Sequence, residues 1–384
     1  MCLAKISAQG KLWATNIGIN MKQQIRQRPA LPRILLSLAL AMNLFLLPFS
    51  CASQDSPKVA PYVERADQYF KGKDFPRAIQ QCRKGLRIEP NNYRLNQILG
   101  EIYLRGGKRN PKAFQIALKQ FKKVYGLRGN GEHDYITLLG LARANYGLAR
   151  QDLAQSRELL TKLKQKKLSP TEQKTTKAKA LELQRNYLQR LDQAEAWLKE
   201  MIARGDGILP ALETLFMVQV DRIYPLTGKK RMEQLHLATK AGEEWLQEIL
   251  RRQNYYKKKA DSLPSNQNLS GKIIVVIENE MKKRYEHFVD LELQARGLLH
   301  SLYYRTNNLP KALAHLNRIL EIDPTRANEY YNRGQIRLKL GQKKEAKKDL
   351  ETFLRLSSLS EDSPRWKQVN RQVAKLTLAL KRGK

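Results

Sequence analysis

The chain has 384 residues and carries 71 Lys+Arg against 36 Asp+Glu, a formal net charge of +35. Hydrophobic residues make up 42%, enough for a folded core, which excludes wholesale disorder. Three Cys exclude a disulfide scaffold or a Cys-rich metal cluster, and 15 Pro with 21 Gly exclude a collagen-like chain.

Residues 1–50 hold six basic residues, Lys5, Lys11, Lys22, Arg26, Arg28 and Arg33, and no acid. Six of 71 is a small share, so the basicity belongs to the rest of the chain. From Ile34 to Leu47, 12 of 14 positions are apolar. As a helix this run spans ~21 Å, short of a ~30 Å hydrocarbon core. A basic stretch followed by a short apolar one has the form of a secretory signal. Counted from Met21 the segment has a suitable length, which predicts Met21 as the start and 21–50 as the signal within the 1–50 leader. Ser50-Cys51 directly after the apolar run resembles a bacterial lipoprotein signal, although Pro48 and Phe49 depart from that pattern. The resemblance implies lipid attachment at Cys51, a tether over 51–58 and, with Ala52 rather than Asp next in line, the outer membrane. Ordinary cleavage near Ala52 and an uncleaved anchor are the alternatives. With Cys51 lipidated, Cys82 is left as a lone thiol, predicted to pack inertly in the core.

Residues 59–92 and 293–326 share one spacing. Tyr69, Ala78, Cys82 and Pro90 in the first segment fall at the same offsets as Tyr303, Ala312, Leu316 and Pro324 in the second. An aromatic on one helix against a small Ala on the next lets the two backbones approach, and Pro ends the second helix. This 34-residue pattern resembles the tetratricopeptide repeat. Looser copies cover 93–127 (Leu99-Gly100, Tyr103, Ala117), 133–168 (Leu139-Gly140, closed by Ser169-Pro170) and 327–360 (Tyr330, Gly334, Ala346, Leu350, Phe353). The resemblance implies an all-α fold, an α-solenoid of helical hairpins.

The middle departs from the pattern. One long helix is predicted over 172–204, with Leu181, Tyr187, Leu188, Leu191, Ala194 and Leu198 on its apolar stripe. A helix pair at about 208–224 and 229–259 follows, then a polar loop at 260–271. Ile274, Ile277, Met281, Tyr285, Phe288, Leu291, Ala295, Leu298 and Leu302 then recur at helical steps. Their period predicts a single helix of roughly 35 residues and overrides the strand-like Ile273–Ile277. A last amphipathic helix at 363–381, apolar through Trp366, Val369, Val373, Leu376 and Leu380, reads as a solvating cap. The predicted divisions are repeats at 59–207, a divergent middle at 208–270, and repeats with the cap at 271–384.

No phosphate-binding loop, dinucleotide fingerprint, HExxH, CxxC or GxSxG occurs. His133, His236, His287 and His315 lack a partner at ligand spacing, and His300 stands where the repeat places a small packing residue. A non-catalytic chain without cofactor or metal is therefore expected. Basic runs at 162–167, 255–259, 282–285 and 339–350 would suit anionic lipid or an acidic polymer near a membrane. No RNA- or DNA-binding motif accompanies them, and the leader directs the chain out of the cytosol; a basic polyanion- or nucleic-acid-binding repeat protein remains the alternative.

By resemblance, a groove lined by first helices would carry Arg94, Gln97, Glu101, Leu104 and Arg105. It would then carry Gln294, Gly297, Ser301, Tyr304 and Arg305, and next Asn328, Tyr331, Gln335, Leu338 and Lys339. The paired Lys and Asn of a carboxylate clamp are missing from this register. Tyr304, Arg305 and Tyr331 are the predicted peptide anchors, with Gln335, Arg94 and Gln97 beside them, because Tyr and Arg dominate interface energies. The expected function is an envelope scaffold that grips a protein or peptide and meets the membrane through its lipid.

Overall fold

The computed structural model describes residues 56–382 apart from 108–109, 128–133, 166–167, 206, 225 and 263–270. The leader, Cys51 and the tether up to 55 lie outside the described residues, so their reading stays an expectation. The described residues hold thirteen α-helices and no strand. They are α1 Ala60–Lys71, α2 Phe75–Ile88, α3 Tyr93–Gly106, α4 Pro111–Leu127, α5 Tyr135–Gln165, α6 Pro170–Arg204 and α7 Ile208–Arg222. Then follow α8 Gly228–Asp261, α9 Gly271–Arg305, α10 Leu309–Ile322, α11 Ala327–Lys339, α12 Lys343–Leu356 and α13 Pro364–Arg382. Each helix packs on the next in sequence, giving six successive hairpins, α1/α2 to α11/α12, and a closing helix. In the N-terminal half the first helices also touch one another: α1 meets α3, α3 meets α5, and α5 meets α7.

The hairpin turns are built the same way at both ends of the array. Lys73, Asn307 and Gly341 adopt left-handed backbone with φ of 61, 58 and 76°. The last two lie one 34-residue repeat apart, at the turn between first and second helices. Asp74 and Asn308 follow the first two and cap the next helix, accepting from Arg77 N at 3.2 Å and Lys311 N at 3.3 Å. α6 opens on a full capping box between Ser169 and Glu172, and Gly205, with φ 78°, ends it.

The repeat spacing defines the core. Ala78, Cys82, Ala312 and Leu316 are fully buried and Tyr303 nearly so. The tightest packing lies among α3, α4 and α5. A Cβ on Gly140 would stand 2.4 Å from two ring atoms of Phe121, and one on Gly100 would stand 2.9 Å from the same ring. One turn-pair along, the Phe114 ring would meet a Cβ on Gly107 at 2.3 Å and one on Gly147 at 2.5 Å. Each of these two phenylalanine rings therefore sits between two glycines, and rings and glycines all repeat every seven residues.

Three expectations need correction. Residues 133–168 do not hold a hairpin of their own: 135–165 is one 31-residue helix, paired with the 35-residue α6. No breaker interrupts it, and Gly147 serves ring contact rather than a turn. The α6 stripe runs through Ala180, Tyr187, Leu191, Ala194, Leu198 and Met201, while Leu181 and Leu188 are exposed. In α9 it is Leu299, not Leu298, that enters the core. The helical reading of Ile273–Ile277 matches α9, and α13 buries Val369 and Leu376 against α12 as a closing helix does.

Candidate partner-binding faces

The predicted residues of α3 form an internal network. Arg94 Nε donates to Asp67 Oδ2 at 3.3 Å and its guanidinium also bonds Gln97. Gln97 is 2% exposed and its amide donates to Asp134 Oδ2 at 2.7 Å, which makes it an interior group rather than a surface one. Tyr93 OH donates to the same Asp134 oxygen at 2.6 Å. Burial works to raise the Asp134 carboxyl, but the bonds from Tyr93, Thr137 and Gln97 hold it below the usual carboxylate value. These groups knit α1, α3 and α5 together. Burial likewise pushes the His300 imidazole down, in keeping with a packing role.

The C-terminal residues separate into three places. Tyr304 is 38% exposed, and Lys339 Nζ stands 4.1 Å from its ring centroid, tying the end of α9 to the end of α11. Tyr331 packs on Phe353 at 5.3 Å, and Arg365 of α13 covers its ring at 4.9 Å. Gln335 meets the same helix, its Nε2 donating to Gln372 Oε1 at 3.1 Å. Tyr331 and Gln335 thus share the α11–α13 seam, while Tyr304 stands eight residues farther along at the Lys339 end. Arg305 is directed elsewhere. It lines a cleft of about 590 Å³ with Arg150 and Arg157 of α5, Arg231 of α8, and Asp221 and Tyr224 at the end of α7.

The sequence reading missed this cleft. Arg150 and Arg157 stand seven apart on one helix, a detectable signal, but Arg231 and Arg305 join them only through the packing of α7 to α9. Other buried charges serve the fold. Asp349, 1% exposed, accepts two bonds from Arg333 at 2.7 and 3.0 Å and one from Arg337 at 2.8 Å. Glu292, also 1% exposed, accepts from Gln253 at 2.8 Å, Arg296 at 2.7 Å and Arg318 at 3.4 Å. Among the described residues no group of His, Cys, Asp or Glu is arranged to hold a metal ion, and no helix is long and apolar enough to cross a membrane.

Residues 299–374 match the family model for the tetratricopeptide repeat. No curated protein matches the sequence. Among solved structures, the chain is similar to a tetratricopeptide repeat protein from Parabacteroides merdae: 14% identity, 82% of this chain and 98% of that one covered, TM-score 0.32. It is also similar to the tetratricopeptide domain of P58(IPK), at 13% identity over 85% and 99% of the two chains with a TM-score of 0.22. Yeast Tom70 is similar at 11% identity over 85% and 97%, TM-score 0.22. The described residues form an all-helical array of tetratricopeptide-like hairpins, with the repeat family matched over its last hairpins and closing helix.

Proposed function

We propose that this chain is a non-catalytic scaffold of the bacterial cell envelope, tethered by lipid at Cys51 and gripping a protein or peptide with its C-terminal hairpins. The observation that carries the binding role is the Tyr304–Lys339 pair. It is an exposed aromatic held under a lysine on adjoining first helices, inside the segment that matches the repeat family. Such a pair offers a rigid apolar face and a charge at small entropic cost. The Ser50-Cys51 sequence after an apolar run supports the tether.

Two experiments test the two halves. Tyr304→Ala with Lys339→Ala, matched to the parent by circular dichroism, is expected to lose most partner recovery in pull-downs from envelope extract. Equal recovery of the same proteins would remove this face from consideration. For location, Cys51→Ala is expected to abolish lipid attachment and move the protein out of the membrane fraction. A mature N-terminus at Ser53, or a retained leader, would overturn the tether.

A further inference from the structure

The Arg-lined cleft is out of balance in charge. Its one acid, Asp221, is already engaged: Tyr146 OH donates to Oδ2 at 2.9 Å and Arg150 Nε lies 3.7 Å away. Arg157, Arg231 and Arg305 have no carboxylate within ion-pair distance among the described residues. Four guanidinium groups therefore line one 590 Å³ space beside a single carboxylate. Like charges gathered this way repel, and nothing else in the fold requires them to be together. The cleft is also shaped for more than a bare ion. Leu153 and Ile223 are buried in its wall, and Tyr224 presents 38% of its surface. The guanidinium of Arg157 is held with Cζ 4.0 Å from the Tyr224 ring centroid, so one charge is already positioned.

We propose that this cleft binds a small soluble phosphomonoester. Arg is the side chain whose planar fork matches phosphate oxygens with parallel N–H donors. Near neutral pH a phosphomonoester carries about −1.5 to −2 charge and three strong acceptor oxygens. That matches three unpaired guanidinium groups. A carboxylate offers one charge and two oxygens, and a phosphodiester offers one charge per phosphate. The apolar wall and Tyr224 receive the organic part of the ester, and the volume lies in the ordinary range of ligand sites, about 300–1,000 Å³. The inference stands apart from the envelope reading, since it needs neither Cys51 nor the Tyr304–Lys339 face.

The test is calorimetric titration of the full chain with phenyl phosphate, against benzoate and an unphosphorylated single-stranded oligonucleotide. Saturable one-to-one binding of phenyl phosphate, tighter than either comparison compound, is expected. Arg231→Gln with Arg305→Gln should weaken it by about tenfold or more, as loss of two charge-assisted contacts does. Lys344→Gln with Lys348→Gln removes the same charge from the exposed face of α12 and should change it by less than about twofold. All four substituted side chains are exposed, so the fold should survive, and melting curves verify this. Absence of saturable binding, equal weakening by the two pairs, or benzoate or oligonucleotide binding as tightly as phenyl phosphate would each overturn the proposal.

Discussion

Replacing Gly140 by Ala adds one methyl group to one of the tightest contacts among the described residues. Its Cβ would lie 2.4 Å from Cε1 and Cζ of Phe121 and 2.6 Å from Cε2. Carbon atoms rest at about 3.5–4.0 Å, so three ring atoms are each overlapped by more than about 1 Å. The ring cannot withdraw. It is 0% exposed, and on its far side a Cβ at Gly100 would already stand at 2.9 Å. Overpacking of this kind costs about 1–3 kcal/mol, with a two-sided clamp at the upper end. Ala gains about 1 kcal/mol in helix propensity over Gly. The net expectation is a loss of about 2 kcal/mol, read by urea denaturation. Gly297, inside the C-terminal third of α9, has nothing within 4 Å of an added Cβ, so Gly297→Ala should instead stabilise by up to about 1 kcal/mol. Adding Phe121→Leu to Gly140→Ala should recover part of the loss. Equal stability of parent and Gly140→Ala, or the same sign at both glycines, would refute the picture of rings clamped between glycines.

Asp349→Ala should cost about 3 kcal/mol, because it leaves Arg333 and Arg337 without the carboxylate they share, whereas Glu158→Ala in its exposed pair with Lys162 should leave the denaturation curve unmoved. For Glu292, burial works to raise the carboxyl, but the bonds from Gln253 and Arg296, with the Arg296 and Arg318 charges, hold it below the usual value. An unfolded Glu titrates near about 4.3, so the unfolded chain takes up the proton first as pH falls, and this group's stabilisation drains away below that pH. The stability gap between parent and Glu292→Gln should accordingly be largest above about pH 5 and shrink through acid; a constant gap would refute it. Burial, assisted by the Asp67 charge and opposed by Arg94, pushes the Cys82 thiol up to about 12. Iodoacetamide at pH 8 should therefore leave Cys82 unmodified in the native chain and modify it after denaturation, as peptide mass spectrometry would show.

The elements were legible where punctuation and period agree. Ser169-Pro170 and Gly205 frame α6, and the run from Met281 to Leu302 carries α9 through its strand-like start. The repeat register was legible too, since Ala312 and Ala78 are buried at the same offset from their tyrosines. What failed were judgements that need a third dimension. Residues 133–168 look like a hairpin in sequence, yet one helix runs through them and Gly147 leaves room for the Phe114 ring. Leu181 and Leu188 look like core, yet the apolar stripe drifts past them to Ala180 and Met201 because 3.6 does not divide evenly into a long helix. Gln97 holds a groove position by number, but its partner Asp134 is 37 residues away and comes from another hairpin. The Arg cleft joins α5, the α7–α8 turn and the end of α9, a convergence that no local pattern announces.

The paired rings of α4 have a mechanical consequence. A single ring between two glycines would let its helices pivot about one point. Two rings seven residues apart, each clamped on both sides, define a line, so α3, α4 and α5 can neither slide along nor swivel about one another without driving a ring into backbone. That block is the stiff link of the array. If a partner alters the curvature of this chain, the bending has to be taken up at other junctions. Hairpins outside the block then take up the change, while α3, α4 and α5 keep their mutual arrangement.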